Sequence, residues 1–228
     1  MRGLYDEQLD RLTVRLAESC QLVCDAMRLA TSALLDTDLE LAEQVIRNDA
    51  RIDRECAECE DEAQRLLILP TPVSGDLRAV LTPVLVAERL ERMGDLAVHV
   101  AESVRRRHPH HVVPRVLRPR FAEMGRIAAT LATTAGLAVA NGTVPGVRTV
   151  RDTDDEMNDL HRTLFSVVCY GDWNHGVATA VDVSMLSRCY ERFADHAVSI
   201  VDYAVYATTG ERPTPGIMPT PRSLPRGA

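Results

Sequence analysis

The sequence predicts an all-α protein of two tandem three-helix bundles, with six long helices and a disordered, proline-rich C-terminal tail. Apolar residues recur at spacings of three and four over long segments, which is the helical pattern. Hydrophobic residues make up 46% of the chain but aromatic residues only 4%, and an aliphatic composition rich in Leu and Ala favours helices over sheets. A segment also repeats at an offset of 100 residues.

The first half of the chain is expected to contain three helices, over residues 4–35, 39–67 and about 74–107. Asp36-Thr37-Asp38 interrupts the first apolar stripe and offers an N-cap to the second helix. Pro70 and Pro72 end the second helix. Pro83 lies within the third, where the missing backbone donor is expected to kink the first turns or delay the start.

Three further helices are predicted in the second half, over residues 120–140, 147–170 and 177–208. A linker containing three prolines precedes them. Asn141-Gly142 stops the fourth helix, residues 171–176 form a turn, and Gly210 closes the sixth. The last eighteen residues hold five prolines and no periodicity, so they are expected to be disordered.

The internal repeat predicts the domain organisation. Residues 87–101 align with residues 187–201, and five of the fifteen positions are identical. A repeat of about 100 residues that contains three helices indicates two bundles rather than a short-period solenoid. The predicted units are a first bundle over 1–108, a second bundle over 114–211 and a tail over 212–228.

Charge and composition narrow the function classes. The net charge of −7 and the pI near 5.5 argue against nucleic-acid binding. The polar start and the lack of an apolar run of about 20 residues predict a cytoplasmic protein without membrane insertion. The basic stretch 105–111 is interpreted as a solvated linker. Cys56-x-x-Cys59 and the Cys20/Cys24 pair are interpreted as reduced packing residues, since no second ligand pair accompanies them.

An acidic pair occurs twice. Glu91 and Asp95 are four residues apart and therefore share one helix face. Glu191 and Asp195 repeat the pair 100 residues later. Two like charges at this spacing repel by a few tenths of a kcal/mol, so propensity does not explain the placement. The residues alone leave two interpretations open: a pair that binds an ion, or a solvated face neutralised by the arginine after each glutamate.

Helices two and five add matching pairs, which predicts a four-oxygen constellation in each bundle. The candidate metal ligands are Asp49, Asp53, Glu91 and Asp95 in the first bundle, and Asp154, Asn158, Glu191 and Asp195 in the second. Oxygen ligands suit divalent or trivalent ions such as Mg, Mn, Ca or Fe better than zinc. His99 extends the first row by a turn. Asn158 brings no charge, so the second site is expected to be weaker, unless Asp155 or Asp159 replaces it through a register shift.

These motifs resemble the PhoU family of bacterial phosphate-uptake accessory and regulatory proteins. The signature of that family is similar to the segments Glu91-Arg92-Met93-Gly94-Asp95 and Glu191-Arg192-Phe193-Ala194-Asp195. Asp76-Leu77-Arg78 and Asp49-x-x-Ile52-Asp53 also look like the family. The resemblance covers about residues 1–211.

The resemblance implies a regulatory role and a set of partners. Family members are two similar three-helix bundles, some bind multinuclear metal clusters on the motif faces, and they are often dimers. The expected function is therefore a non-enzymatic negative regulator of phosphate uptake and phosphate-starvation signalling. Its expected partners are the ATPase of a Pst-type phosphate ABC transporter, a phosphate-sensing histidine kinase and a second copy of the chain.

Two other hypotheses use the same residues. The first is a metal-dependent enzyme or a metal-storage bundle, but the Glu-x-x-His pairs of di-iron bundles are missing because Gly94 and Ala194 stand at the third position. The chain also has no phosphate loop, HExxH or GxSxG motif. The second is a purely structural module without metal.

Overall fold

The computed structural model describes residues 2–68, 74–143 and 147–210. The helices are α1 (Arg2–Asp36), α2 (Leu39–Ile68), α3 (Ser74–Arg107), α4 (Arg118–Asn141), α5 (Val147–Tyr170) and α6 (Val177–Thr209), with a short 3₁₀ turn at Arg115–Leu117. The prediction of an all-α chain with six long helices is confirmed. The predicted stop at Pro70 and Pro72 and the predicted disordered tail lie outside the described residues.

The helix boundaries follow from local chemistry. The backbone amide of Leu41 donates to Asp38 Oδ1 over 3.0 Å, which is the predicted N-cap of α2. Gly142 and Gly210 adopt φ of 62° and 72° after α4 and α6, the left-handed conformation that glycine adopts without steric cost.

The structure matches the predicted start of α3 near Ser74, excludes a start delayed by Pro83, and moves the start of α4 by two residues. Helix α3 begins at Ser74 and continues through Pro83, so the proline does not delay its start. A proline within a helix removes one hydrogen bond, and the packed surroundings of the buried Pro83 stabilise the helix around it. Helix α4 begins at Arg118 rather than residue 120, because Pro119 fits its first turn, where the amide has no intrahelical partner.

The six helices form a four-helix core with two flanking helices. Helices α1 and α3 of the first repeat pack against α4 and α6 of the second, respectively. Helix α2 packs on α1 and α3, and α5 packs on α4 and α6. Within the described residues, α2 and α5 contact only helices of their own repeat. The buried side chains of all six helices form one continuous core, so the two bundles share their interior.

Thr31 on α1 lies at the centre of the contact between repeats. Its hydroxyl donates to the Met27 carbonyl over 2.7 Å and lies 2.9 Å from the Tyr190 hydroxyl on α6. The Tyr190 ring packs edge-on against Phe121 of α4, with 5.9 Å between ring centroids. A buried hydrogen bond of this kind contributes about 1 kcal/mol, and here it links α1 directly to α6.

The cysteines of the first repeat are buried and free. Cys20 and Cys24 lie where α1 meets α4, and Cys56 and Cys59 face the interior from α2. Burial raises the pKa of the Cys20 and Cys56 thiols to about 12, so both stay protonated at neutral pH. This fits the interpretation of these residues as packing residues.

Two glycines of α4 allow the close approach of α1, and they differ in the space around them. A Cβ atom added to Gly125 would lie 2.5 Å from Thr31 Cγ2, whereas one added to Gly136 would lie 3.1 Å from Cys20 Cβ. Replacing a mid-helix glycine by alanine gains up to about 1 kcal/mol of helix stability. The overlap at Gly125 exceeds that gain, because overpacking costs about 1–3 kcal/mol.

We therefore expect Gly125→Ala to lower the free energy of unfolding by about 1–2 kcal/mol, and the matched variant Gly136→Ala to change it by less than about 1 kcal/mol. Urea unfolding followed by circular dichroism measures both. Equal midpoints for the two variants would contradict the packing described around Thr31.

Candidate metal centre

The first acidic row lies where α2 packs on α3. Asp49 and Asp53 project from α2, and Glu91 and Asp95 project from α3. Burial first, and then the charges of Asp53, Asp95 and Glu91 in that order, together raise the pKa of Asp49 to about 6. Burial and then the charge of Asp95 also raise the pKa of Asp53. The structure therefore brings the four predicted side chains of the first repeat within electrostatic reach of one another.

The Asp49 carboxylate is the most constrained member of this row. Its Oδ1 atom is buried and has no hydrogen-bond partner. A Cβ atom added to Gly94 on α3 would lie 3.0 Å from that oxygen and 3.2 Å from Ile52 Cγ2. The absence of a side chain at Gly94 thus makes room for the carboxylate, and the bare oxygen of a half-buried anion is left without a donor or cation.

The row contains two carboxylates that the sequence analysis missed. Burial raises the pKa of Glu60 on α2, and the charges of Glu91 and Glu88 raise it further. The nearby cation is Arg92, whose Nη1 lies 3.7 Å from Asp95 Oδ2. Helical spacing could have revealed both residues, because Glu60 follows Asp53 by seven positions and Glu88 precedes Glu91 by three.

The second row lies where α5 packs on α6. Burial first, and then the charges of Asp195 and Asp155, together raise the pKa of Asp154 to about 6. Asn158 Nδ2 donates to Asp154 Oδ2 over 3.2 Å. Burial also raises the pKa of Glu191, reinforced by Asp195 and opposed by Arg188. Asp154 Oδ1 and Glu191 Oε2 are buried without hydrogen-bond partners, so this row also holds unsatisfied carboxylate oxygens.

The exposed Asp195 completes the second row. Desolvation by the surrounding protein raises the pKa of its carboxyl, while the charges of Arg188 and Arg192 lower it. The register shift to Asp155 or Asp159 stays a prediction. Asp155 and Asp159 are both exposed, and Asp159 pairs instead with Arg162.

Asn158 is one of several residues that make the second row less acidic than the first. Arg188 occupies the position equivalent to Glu88 and pairs with Glu191. When Asp49 of α2 is aligned with Asp154 of α5, the position equivalent to Glu60 is Phe165, so the second row has one carboxylate fewer there. His161, the counterpart of Cys56, places Nδ1 2.9 Å from Ser187 Oγ. The predicted difference between the two sites is therefore larger than one amide substitution suggests.

The chemistry of the first row fits a hard cation. Among the residues that the structure describes, no three His, Cys, Asp or Glu side chains converge closely enough to enclose an ion as they are placed. The half-buried carboxylates with unpartnered oxygens are nevertheless the groups whose charge and lone pairs a cation would satisfy. Asp49, Asp53, Glu91 and Asp95 would hold it, while the exposed His99 lies a turn beyond them.

The arrangement agrees with a known family. The PhoU domain model matches the chain twice, over residues 16–104 and 121–204. The chain belongs to the PhoU family. Both matched segments contain one Glu-x-x-x-Asp motif on the last helix of a repeat, so the resemblance expected from the sequence is confirmed.

Named relatives of this PhoU-family chain match it along most of its length. It is 46% identical over 222 residues to the "Phosphate-specific transport system accessory protein PhoU homolog 1" of Mycobacterium leprae, covering 97% of this chain and 100% of that protein. It is 47% identical over 213 residues to PhoU homolog 2 of Mycobacterium tuberculosis, covering 93% and 100%. The expectation that the chain is not an enzyme is confirmed by its place in this family of accessory proteins.

Solved PhoU structures share the fold. The PhoU crystal structure from Pseudomonas aeruginosa superimposes with a TM-score of 0.84 at 24% identity, covering 91% of this chain and all of that one. The phosphate transport system regulatory protein PhoU from Streptococcus pneumoniae gives a TM-score of 0.79 at 24% identity, covering 92% and 99%. None of the helices in the described ranges has an apolar stretch long enough to cross a membrane.

The unsatisfied Asp49 carboxylate leads to a prediction about the metal-free protein. Its pKa of about 6 lies above the ordinary 3.8, so ionisation costs stability as the pH rises through that interval. Asp49→Asn removes this cost. In chelator, we expect the variant to have a higher melting temperature than the parent at pH 7.5, with a smaller difference at pH 5.

Differential scanning calorimetry of the two proteins at both pH values provides the measurement. The matched control is Asp25→Asn, which changes an exposed aspartate on α1 and should shift the melting temperature little at either pH. A melting temperature of Asp49→Asn below that of the parent in chelator at pH 7.5 would show that the carboxylate is satisfied.

Proposed function

We propose that this chain is a cytoplasmic, non-enzymatic negative regulator of phosphate uptake and phosphate-starvation signalling. The observation that carries the proposal is the match along the full length of relatives named as phosphate-specific transport accessory proteins. The role requires contact with the ATPase of a phosphate ABC transporter and with a phosphate-sensing histidine kinase. We also propose that the chain acts as a homodimer.

Repeated apolar stripes support regulation by protein contact. Each repeat exposes three large apolar side chains at consecutive turns of its last helix, and the two sets occupy equivalent positions 100 residues apart: Leu77, Leu81 and Leu85 on α3, and Val177, Val181 and Met185 on α6. Exposed contiguous apolar surface is typical of protein interfaces. The last residue of each stripe precedes the motif glutamate of the same helix by six residues, so a partner could contact apolar and charged surface together.

We further propose that the acidic rows bind metal ions with oxygen ligands, of the Mg, Mn or Fe kind. A bound cation would neutralise the clustered carboxylates and stabilise the packing of α2 on α3 and of α5 on α6. The first row favours this most, because it has the fully acidic ligand set and the unpartnered Asp49 oxygen. The second row retains Asp154 and Glu191 as the main candidates, but Arg188 competes for Glu191.

Elemental analysis of protein purified without chelator tests the metal proposal. Glu91→Gln/Asp95→Asn should lower the bound metal per chain more than Glu191→Gln/Asp195→Asn does, because the first row is the more acidic. The control Glu18→Gln/Asp25→Asn removes two exposed charges from α1 and should leave the metal content unchanged. The same metal content in all three variants and the parent would refute the proposal.

The regulatory proposal is tested by complementation in a bacterium that lacks its PhoU-family genes. Such a strain should express phosphate-starvation genes in high phosphate, and the parent chain should repress them. We expect Leu81→Glu/Val181→Glu to fail in repression at unchanged helicity, because the charges disrupt both apolar stripes. Val14→Glu/Leu137→Glu, which alters exposed apolar residues elsewhere, should repress normally. No repression by the parent chain would count against the proposed function.

A further inference from the structure

A third surface lies between the two acidic rows, along the seam where α3 packs on α6. The two helices are antiparallel, since Arg89 Nη2 donates to the Tyr203 hydroxyl over 3.3 Å and Arg107 Nε donates to Asp182 Oδ2 over 2.8 Å. The packing order of α2, α3, α6 and α5 places the seam and the two rows on neighbouring grooves of the molecule.

The seam concentrates positive charge. Arg89 and Arg92 of α3 and Arg192 of α6 all act on the imidazole of His196. Burial first, and then the charges of Arg89, Arg192 and Arg92, together lower the pKa of His196 to about 4, opposed by Glu88. The three guanidinium groups are therefore near enough to His196 for their charges to act on it, although their mutual repulsion is unfavourable.

Two buried polar atoms of this cluster lack hydrogen-bond partners. His196 is buried with 9% of its surface exposed, and its Nε2 atom has no hydrogen-bond partner. The Nε atom of Arg89 is also buried without a partner. Arg92 lies 3.7 Å from Asp95, which is too long for a hydrogen bond. Unpartnered buried polar atoms are uncommon and costly, and here two of them belong to one cationic cluster.

We propose that the seam binds a small tetrahedral oxyanion of the phosphate or sulfate kind between Arg89, Arg92 and Arg192, with His196 at its floor. Guanidinium groups match the oxygens of such an anion with several donors each. The exposed Arg92 and Arg192 stand at equivalent positions of the two repeats and so approach the anion from opposite helices. His196 Nε2 can donate a hydrogen bond when its neutral ring carries the proton there.

The anion site is coupled by charge to the acidic rows. Glu88 and Asp95 lie close to the arginines of the seam and weaken its attraction for an anion. A cation bound in either row would reduce that local negative charge and strengthen anion binding. By linkage, the anion would then tighten cation binding by the same factor. Only this coupling rests on the proposed metal sites; the anion site itself requires neither metal nor a protein partner.

Calorimetric titration of the full-length chain in chelator with inorganic phosphate, at constant ionic strength, tests the site. We expect saturable binding that weakens at least tenfold in Arg92→Gln/Arg192→Gln. The control Arg11→Gln/Arg162→Gln removes two exposed arginines from α1 and α5 and should bind like the parent. Sulfate should compete with phosphate, whereas acetate at the same concentration should not.

A second measurement locates the anion without relying on affinity. The Cε1–Hε1 NMR signal of His196, assigned by its loss in His196→Gln, should shift with phosphate along the calorimetric curve. No saturable binding in chelator overturns the inference, as does equal weakening in the control variant. Phosphate binding that requires metal and vanishes in Glu91→Gln/Asp95→Asn also overturns it, because the anion would then sit on the metal. Repression of phosphate-starvation genes can persist in any of these outcomes, so this inference and the proposed function fail separately.

Discussion

The four central helices must each bury apolar side chains on two sides, because each packs against helices of its own repeat and against one of the other. The central helices meet this constraint by packing closely. Thr31 of α1 packs over Gly125 of α4 and is hydrogen-bonded to Tyr190 of α6. This packing leaves α2 and α5 on the outside, where one side of each helix meets the core and the other meets solvent. Both acidic rows lie in the grooves that these outer helices form with α3 and α6.

The acidic rows in these grooves are costly for the folded chain by itself. Burial and neighbouring charges raise the pKa of both Asp49 and Asp154 to about 6, so folding works against their ionisation at neutral pH. A stable core tolerates such a cost at a functional site. The two repeats differ in how they reduce it: the second uses Asn158 and Arg188, whereas the first keeps its carboxylates and gives Asp49 space over Gly94.

Charge therefore alternates across neighbouring grooves of the molecule, from the acidic α2–α3 groove through the basic α3–α6 seam to the weaker acidic α5–α6 groove. The internal repeat explains the layout, since Arg92 and Arg192 each follow a motif glutamate and both act on His196 at the seam of α3 and α6. Ions of opposite sign bound in adjacent grooves would attract each other and so stabilise each other's binding. The apolar stripes that begin each of these helices lie beside this charged surface, which places protein contact and ion binding close together.

The sequence by itself determined the six helices, the doubled motif and the pairing of candidate side chains on each helix. It could do so because helical periodicity places residues four apart on one face, and the motif of α3 recurs on α6 100 residues later. Only the tertiary structure decided which faces meet. Glu60 and Glu88 share the spacing of the first row, but their effect on it depends on the packing of α2 against α3. His196 became a buried, unpartnered group only because α6 packs antiparallel on α3, since spacing along one helix carries no information about the charges that a second helix brings to it.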